Sequence, residues 1–116
     1  FILRQVGREA FVNFKNPAAE DLQLCRSGWE EAKLAISQNQ ADIFILDELN
    51  IVLATSMLPT DEVVYFLQQH KNDAEIIVTG RYAPEEIIKI ADLVTEMREV
   101  KHYFHKGVSS RNGIDH

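Results

Sequence analysis

The chain holds 116 residues, 46% hydrophobic and 26% charged, a balance that excludes intrinsic disorder and fits one folded domain spanning 1–116. Twelve Lys and Arg against eighteen Asp and Glu leave a net −6, which argues against a general nucleic-acid binder. One cysteine excludes an internal disulfide and fits a reducing, cytoplasmic setting, and no apolar run nears the ~20 residues of a membrane span.

Residues 1–6 read as a short strand broken by Gly7. The chain opens directly in Phe1-Ile2-Leu3, as from inside a domain, and the expectation is that further residues precede Phe1. Asn16-Pro17 reads as a helix start, with Asn16 capping, Pro17 in the first helical position, and Glu20 and Asp21 favouring the positive end of the dipole. Leu22, Cys25, Trp29, Ala32 and Ile36 then recur at helical spacing, an apolar stripe that assigns Cys25 and Trp29 to the core. Ile43-Phe44-Ile45-Leu46 is a continuous apolar run before Asp47-Glu48, the pattern of a parallel strand covered on both faces. A helix capped by Thr60 buries Val63, Val64 and Leu67. Glu75-Ile76-Ile77-Val78 is a second buried strand, ended by Thr79-Gly80-Arg81. Pro84 opens a helix with Ile87, Ile88 and Ala91 on its apolar side, and residues 92–97 read as a last strand. From Arg98 onward the chain has no period and carries +2, which leaves −8 on residues 1–97; a basic tail on an acidic body suits an anion, or its own acidic domain.

The alternation β-α-β-α-β-α-β implies an α/β layer fold with a mostly parallel sheet and flanking helices. Ligands in such folds sit at the carboxyl ends of the strands, where Asp47, Glu48, Thr79, Gly80, Arg81, Thr95 and Glu96 fall. Four apolar residues followed by Asp-Glu resemble a Walker B strand, which projects a carboxylate toward Mg²⁺ and phosphate oxygens; many ordinary strands also end in acidic residues. No G-x-x-x-x-G-K-[ST] phosphate loop occurs in the 116 residues, so these residues alone should hold ATP weakly. Arg81 can pair with a phosphate, or simply occupy a surface turn. His102 and His105 have the spacing of a metal pair but no third ligand beside them. Arg8 and Phe11 lie in a loop after Gly7, where Phe11 can cover a flat ligand or pack under the next helix.

Taken together, seven segments resemble one family, the P-loop type of ATP:cob(I)alamin (corrinoid) adenosyltransferases. They are Gly7-Arg8-Glu9-Ala10-Phe11, Ile45-Leu46-Asp47-Glu48-Leu49-Asn50, Val78-Thr79-Gly80-Arg81-Tyr82-Ala83-Pro84-Glu85, Ala91-Asp92-Leu93-Val94-Thr95-Glu96-Met97, and Val100-Lys101-His102 with the following Lys106-Gly107-Val108 and Arg111-Asn112-Gly113-Ile114-Asp115. The resemblance implies a RecA-like P-loop NTPase-type sheet, incomplete at its N-terminus, and usually a homodimer. It implies transfer of the 5′-deoxyadenosyl group of ATP to a reduced Co(I) corrinoid, with triphosphate leaving and a flavin-type reductase as a possible partner. On that reading Glu48 and Asp47 serve Mg²⁺, Arg81, Thr79 and Gly80 lie at the nucleotide, and Phe11 and Arg8 face the corrinoid. Lys101, His102 and Arg111 belong to a basic tail or lid. Some members carry Trp two residues after the Phe11 position, where this chain has Asn13. Co(I) is itself a strong nucleophile, which agrees with a sequence showing neither a catalytic triad nor a poised cysteine. A non-catalytic binding module of the same fold and a generic P-loop ATPase core are the alternative readings.

Overall fold

The computed structural model describes residues 1–8 and 12–112. Its elements in order are α1 (Ala19–Ser37), β1 (Ile43–Leu46), α2 (Leu49–Ala54), α3 (Thr60–His70), β2 (Glu75–Val78), α4 (Glu85–Ile90) and a 3-10 turn (Tyr103–Lys106). β1 and β2 pair in parallel, with Ile43 opposite Glu75 and Leu46 opposite Val78. This is a mixed α/β arrangement with a small parallel sheet and flanking helices.

The side chains of one sheet face turn inward. Leu46, Ile76 and Val78 pack on a core of Trp29, Leu49, Leu53, Leu58, Val63, Leu67 and Ile87. Burying one such aliphatic side chain contributes about 1.5–3 kcal/mol, so this cluster outweighs any single polar contact in holding the helices to the sheet. The other face carries Ile43, Ile45 and Ile77, which are 58%, 57% and 41% exposed. The expectation of a sheet covered on both faces is therefore corrected: among the described residues only one face is covered.

Two expected strands do not form. Residues 1–6 run beside α1 instead of joining the sheet. Arg4 pairs with Glu31 at 3.4 Å. Val6 lies so close to Gly28 that a Cβ there would fall 2.7 Å from the Val6 Cβ, so a side chain at position 28 would push the segment away. Residues 92–97 are irregular and exposed, with no described strand beside them. A strand is completed by its neighbour's hydrogen bonds, and strand-like composition does not supply that neighbour.

Helix boundaries also differ from expectation. The N-cap of α1 is Ala18, not Asn16, and Pro17 lies outside the helix. The cap is made from within, because the Asp21 carboxylate accepts the Ala18 N–H at 3.0 Å. Pro59 is the N-cap of α3, with Thr60 its first residue. On the predicted stripe Trp29 and Ile36 are buried, Cys25 and Ala32 are half-buried, and Leu22 is exposed. Burial pushes the Cys25 thiol up, as suits a core cysteine rather than a nucleophile. The short helix α2 was not expected, since its six-residue run Leu49–Ala54 is too short to show a period. In α4, Ile87 is buried while Ile88 is exposed, and Ala91, expected in the helix, is its exposed C-cap.

One carboxylate joins α1 to α3. Arg26, Trp29 and Lys33 share a face of α1, and all three donate to Glu62 in the first turn of α3, at 2.7, 2.9 and 3.2 Å. Arg26 first, with Lys33 and Trp29, holds the Glu62 carboxyl below its ordinary range. Phe66 meets the Trp29 ring edge-on at 5.3 Å.

Candidate functional site

The parallel register decides what meets at the carboxyl ends of the strands. Leu46 stands opposite Val78, so the next residues, Asp47 and Thr79, emerge side by side. The Thr79 hydroxyl donates to Asp47 Oδ1 at 2.6 Å and accepts the Glu48 N–H at 3.0 Å. The Thr79 carbonyl accepts the Asn50 N–H at 3.1 Å. Four of the residues singled out from the sequence, Asp47, Glu48, Thr79 and Gly80, are thus brought into one cluster.

Backbone geometry there is unusual. Glu48 has φ 58° and ψ 16°, the left-handed conformation, and serves as the N-cap of α2. That conformation costs a residue with a side chain roughly 1–2 kcal/mol. Gly80 has φ +119°, and a Cβ there would lie 3.2 Å from the Asn50 Cβ, the Glu48 Cα and Glu48 Oε2. Only glycine meets both demands, and it lets the Glu48 carboxylate lie directly over the backbone of β2's end. Tyr82, beyond the exposed Arg81, also has a positive φ of 61°. Strained residues of this kind persist where surrounding contacts hold them, and they concentrate at binding sites.

Among the described residues the charge at the strand ends is left uncompensated. Among the described residues no cation and no hydrogen bond engages the Glu48 carboxylate, and Asp47 receives only the Thr79 hydroxyl. Mg²⁺ uses one or two carboxylates and fills its remaining positions with water and phosphate oxygens. Glu48 and the remaining oxygen of Asp47 suit that demand. No group of three His, Cys, Asp or Glu among the described residues forms a metal cage. The amide oxygen of Asn50 is buried with no hydrogen-bond partner. Sequence reading missed Asn50, although it closes the Asp47-Glu48-Leu49-Asn50 run.

The other candidates lie apart from this cluster. Arg8 clasps Asp21 through two hydrogen bonds of 2.6 and 2.9 Å, and Asp21 is 4% exposed. The Arg8 guanidinium, followed by the Ala18 N–H, holds the Asp21 carboxyl below its ordinary range. Nothing in the sequence marked this pair, which spans the start of α1. Phe11 lies outside the described residues, as do Gly113, Ile114 and Asp115. In the tail, His102 Nδ1 accepts the Phe104 N–H and His105 Nε2 meets Glu99 at 3.0 Å. Arg111 lies over the Tyr103 ring at 5.0 Å, and Lys101 is exposed. His102, Tyr103, Phe104, Val108 and Ser110 line an open hollow of about 340 Å³. No described helix is long and apolar enough to cross a membrane.

Acidic residues and a glycine turn gathered at the carboxyl edge of a parallel sheet make the strand ends the candidate ligand site of this α/β protein. The chain belongs to the ATP:corrinoid adenosyltransferase BtuR/CobO/CobP family, whose model matches residues 1–116. It is 38% identical over 96 residues to the corrinoid adenosyltransferase of Escherichia coli K12, covering 83% of this chain and 49% of that protein. It is 36% identical over 108 residues to a corrinoid adenosyltransferase of a Sinorhizobium species, covering 92% and 50%. Corrinoid adenosyltransferase CobA of Salmonella typhimurium LT2 is 35% identical over 96 residues, covering 83% and 49%. The chain spans about half the length of these curated relatives.

Proposed function

We propose that this chain is part of an enzyme that transfers the 5′-deoxyadenosyl group of ATP to the Co(I) of a reduced corrinoid. A bond forms between cobalt and C5′, the C5′–O bond breaks, and triphosphate leaves with the electron pair. Cobalt supplies both electrons of the new bond, so no side chain has to act as nucleophile or base. The protein's work is positioning, charge neutralisation and exclusion of water.

The observation that carries this reading is the meeting of Asp47 and Glu48 with Thr79 and Gly80 at two parallel strand ends, in a chain of this family. Glu48, supported by Asp47, would hold Mg²⁺, which neutralises charge on the triphosphate when bound. Thr79 and Gly80 lie at the nucleotide, with the Glu48 carboxylate seated over Gly80, and Arg81 reaches phosphate from the exposed turn. Phe11 lies against the corrinoid, and Arg8, anchored on α1 through Asp21, stands three residues before it. Lys101, His102 and Arg111 belong to a basic tail that closes over the anionic ligand. The wider expectations are part of the same proposal: one domain over 1–116, a RecA-like sheet of the P-loop type, a homodimer, a cytoplasmic setting and a flavin-type reductase that delivers the electron.

The test is direct. Full-length protein, ATP, Mg²⁺ and a corrinoid chemically reduced to Co(I) should yield adenosylcorrinoid and triphosphate in equal amounts. Release of ADP and phosphate without a cobalt–carbon bond would replace this reading with that of an ATPase core.

A further inference from the structure

We infer that Thr79 is a positioning residue that sets the two carboxylates for the cation accompanying ATP, an inference that rests on the function proposed above. Its hydroxyl carries one proton, and that proton is committed to Asp47 Oδ1 at 2.6 Å, a short charge-assisted bond. The same oxygen accepts the Glu48 N–H at 3.0 Å, and the Thr79 carbonyl accepts the Asn50 N–H at 3.1 Å. One residue at the end of β2 therefore fastens Asp47, Glu48 and Asn50, three of the four residues that lead from β1 into α2.

These bonds have two consequences. Asp47 is fixed by one oxygen, which leaves the other to face a ligand. The Glu48 backbone is held at φ 58°, where its own preference would not keep it. That conformation aims the Glu48 side chain over Gly80, as the 3.2 Å approach of Oε2 to a Cβ built there records. Without the hydroxyl, Glu48 is free to relax toward an ordinary conformation and carry its carboxylate away from its place over Gly80. Thr79 thus acts through the two acids, with its donor already spent on one of them.

Thr79→Val keeps the side chain's shape and removes the oxygen, whereas Thr79→Ser keeps the oxygen. In the full-length protein, Mn²⁺ binding in the presence of ATP, followed by water proton relaxation, should weaken about tenfold in Thr79→Val, the lower end of the range for losing a group that orients a metal ligand. The corrinoid KM should stay unchanged, and the Glu48 amide should exchange faster with solvent. Thr79→Ser should restore both the Mn²⁺ affinity and the amide protection. Wild-type Mn²⁺ affinity in Thr79→Val would overturn the inference, as would Thr79→Ser impaired to the same degree. Parallel losses for Mn²⁺ and corrinoid would also overturn it, because they would signal general loosening, and so would a wild-type protein that binds no Mn²⁺. A wild-type protein that binds Mn²⁺ but makes no adenosylcorrinoid would remove the proposed reaction, while the contrast between the Val and Ser variants would still decide the role of Thr79.

Discussion

Glu62 and Glu48 both stand at the start of a helix, and the molecule treats them in opposite ways. Glu62 accepts hydrogen bonds from Arg26, Trp29 and Lys33, so its oxygens are taken up in joining α1 to α3. Glu48 adopts a strained backbone at the end of β1, and among the described residues nothing neutralises its carboxylate. A carboxylate whose lone pairs are filled by the protein's own donors is a structural joint. One held in place with its lone pairs open is suited to a cation from outside.

This contrast can be sharpened or broken by three measurements. The largest effect is expected on the structural side. Trp29→Ala removes a buried ring and a donor to Glu62 together, and urea unfolding should show a loss of about 3–5 kcal/mol. Trp29→Phe, which keeps most of the ring, should cost far less; equal losses would place the weight on the Glu62 bond rather than on packing. Glu48→Gln should leave the unfolding curve nearly unchanged while adenosyl transfer falls on the order of a hundredfold, the scale of deleting one preorganised electrostatic group. Adenosylcorrinoid formation across a magnesium titration checks it, and full activity at low magnesium would return Glu48 to the ordinary strand ends.

The smallest effect concerns Asp21, whose carboxyl Arg8 holds below the ordinary range. A folded-state pKa below the unfolded one adds stability that is complete above the unfolded value, near 4, and is lost as pH falls through the folded value. Asp21→Asn should therefore be less stable than wild type at neutral pH, and the gap should close in acid. Paired urea titrations at neutral and strongly acidic pH check this, and a gap that persists in acid would assign the loss to packing at the start of α1.

Sequence reading reached the elements whose pattern is local. The stripe through Trp29 and Ile36, the apolar run 43–46 and the run 76–78 each announce a helix or a strand without help from elsewhere. It also placed Asp47, Glu48, Thr79 and Gly80 at strand ends. That Asp47 meets Thr79 depends on the β1–β2 register, which neither strand carries alone. The failures have the same origin. Residues 1–6 and 92–97 have strand-like side chains but no described strand beside them, and α2, six residues with Asn50 as its one polar member, is too short to show a period. The Arg8–Asp21 pair was invisible because α1 must fold before its two members meet.

The bond between Asp47 and Thr79 joins residues 32 positions apart. Closing a loop of that length costs conformational entropy before any contact rewards it, and parallel pairing is slow to form for the same reason. A folding chain can therefore build α1 and α3 early while its strand ends are still separate. The Asp47–Thr79 geometry becomes available only when β1 and β2 have found their register. On the function proposed above, cation capture at those ends would therefore report that the sheet has closed.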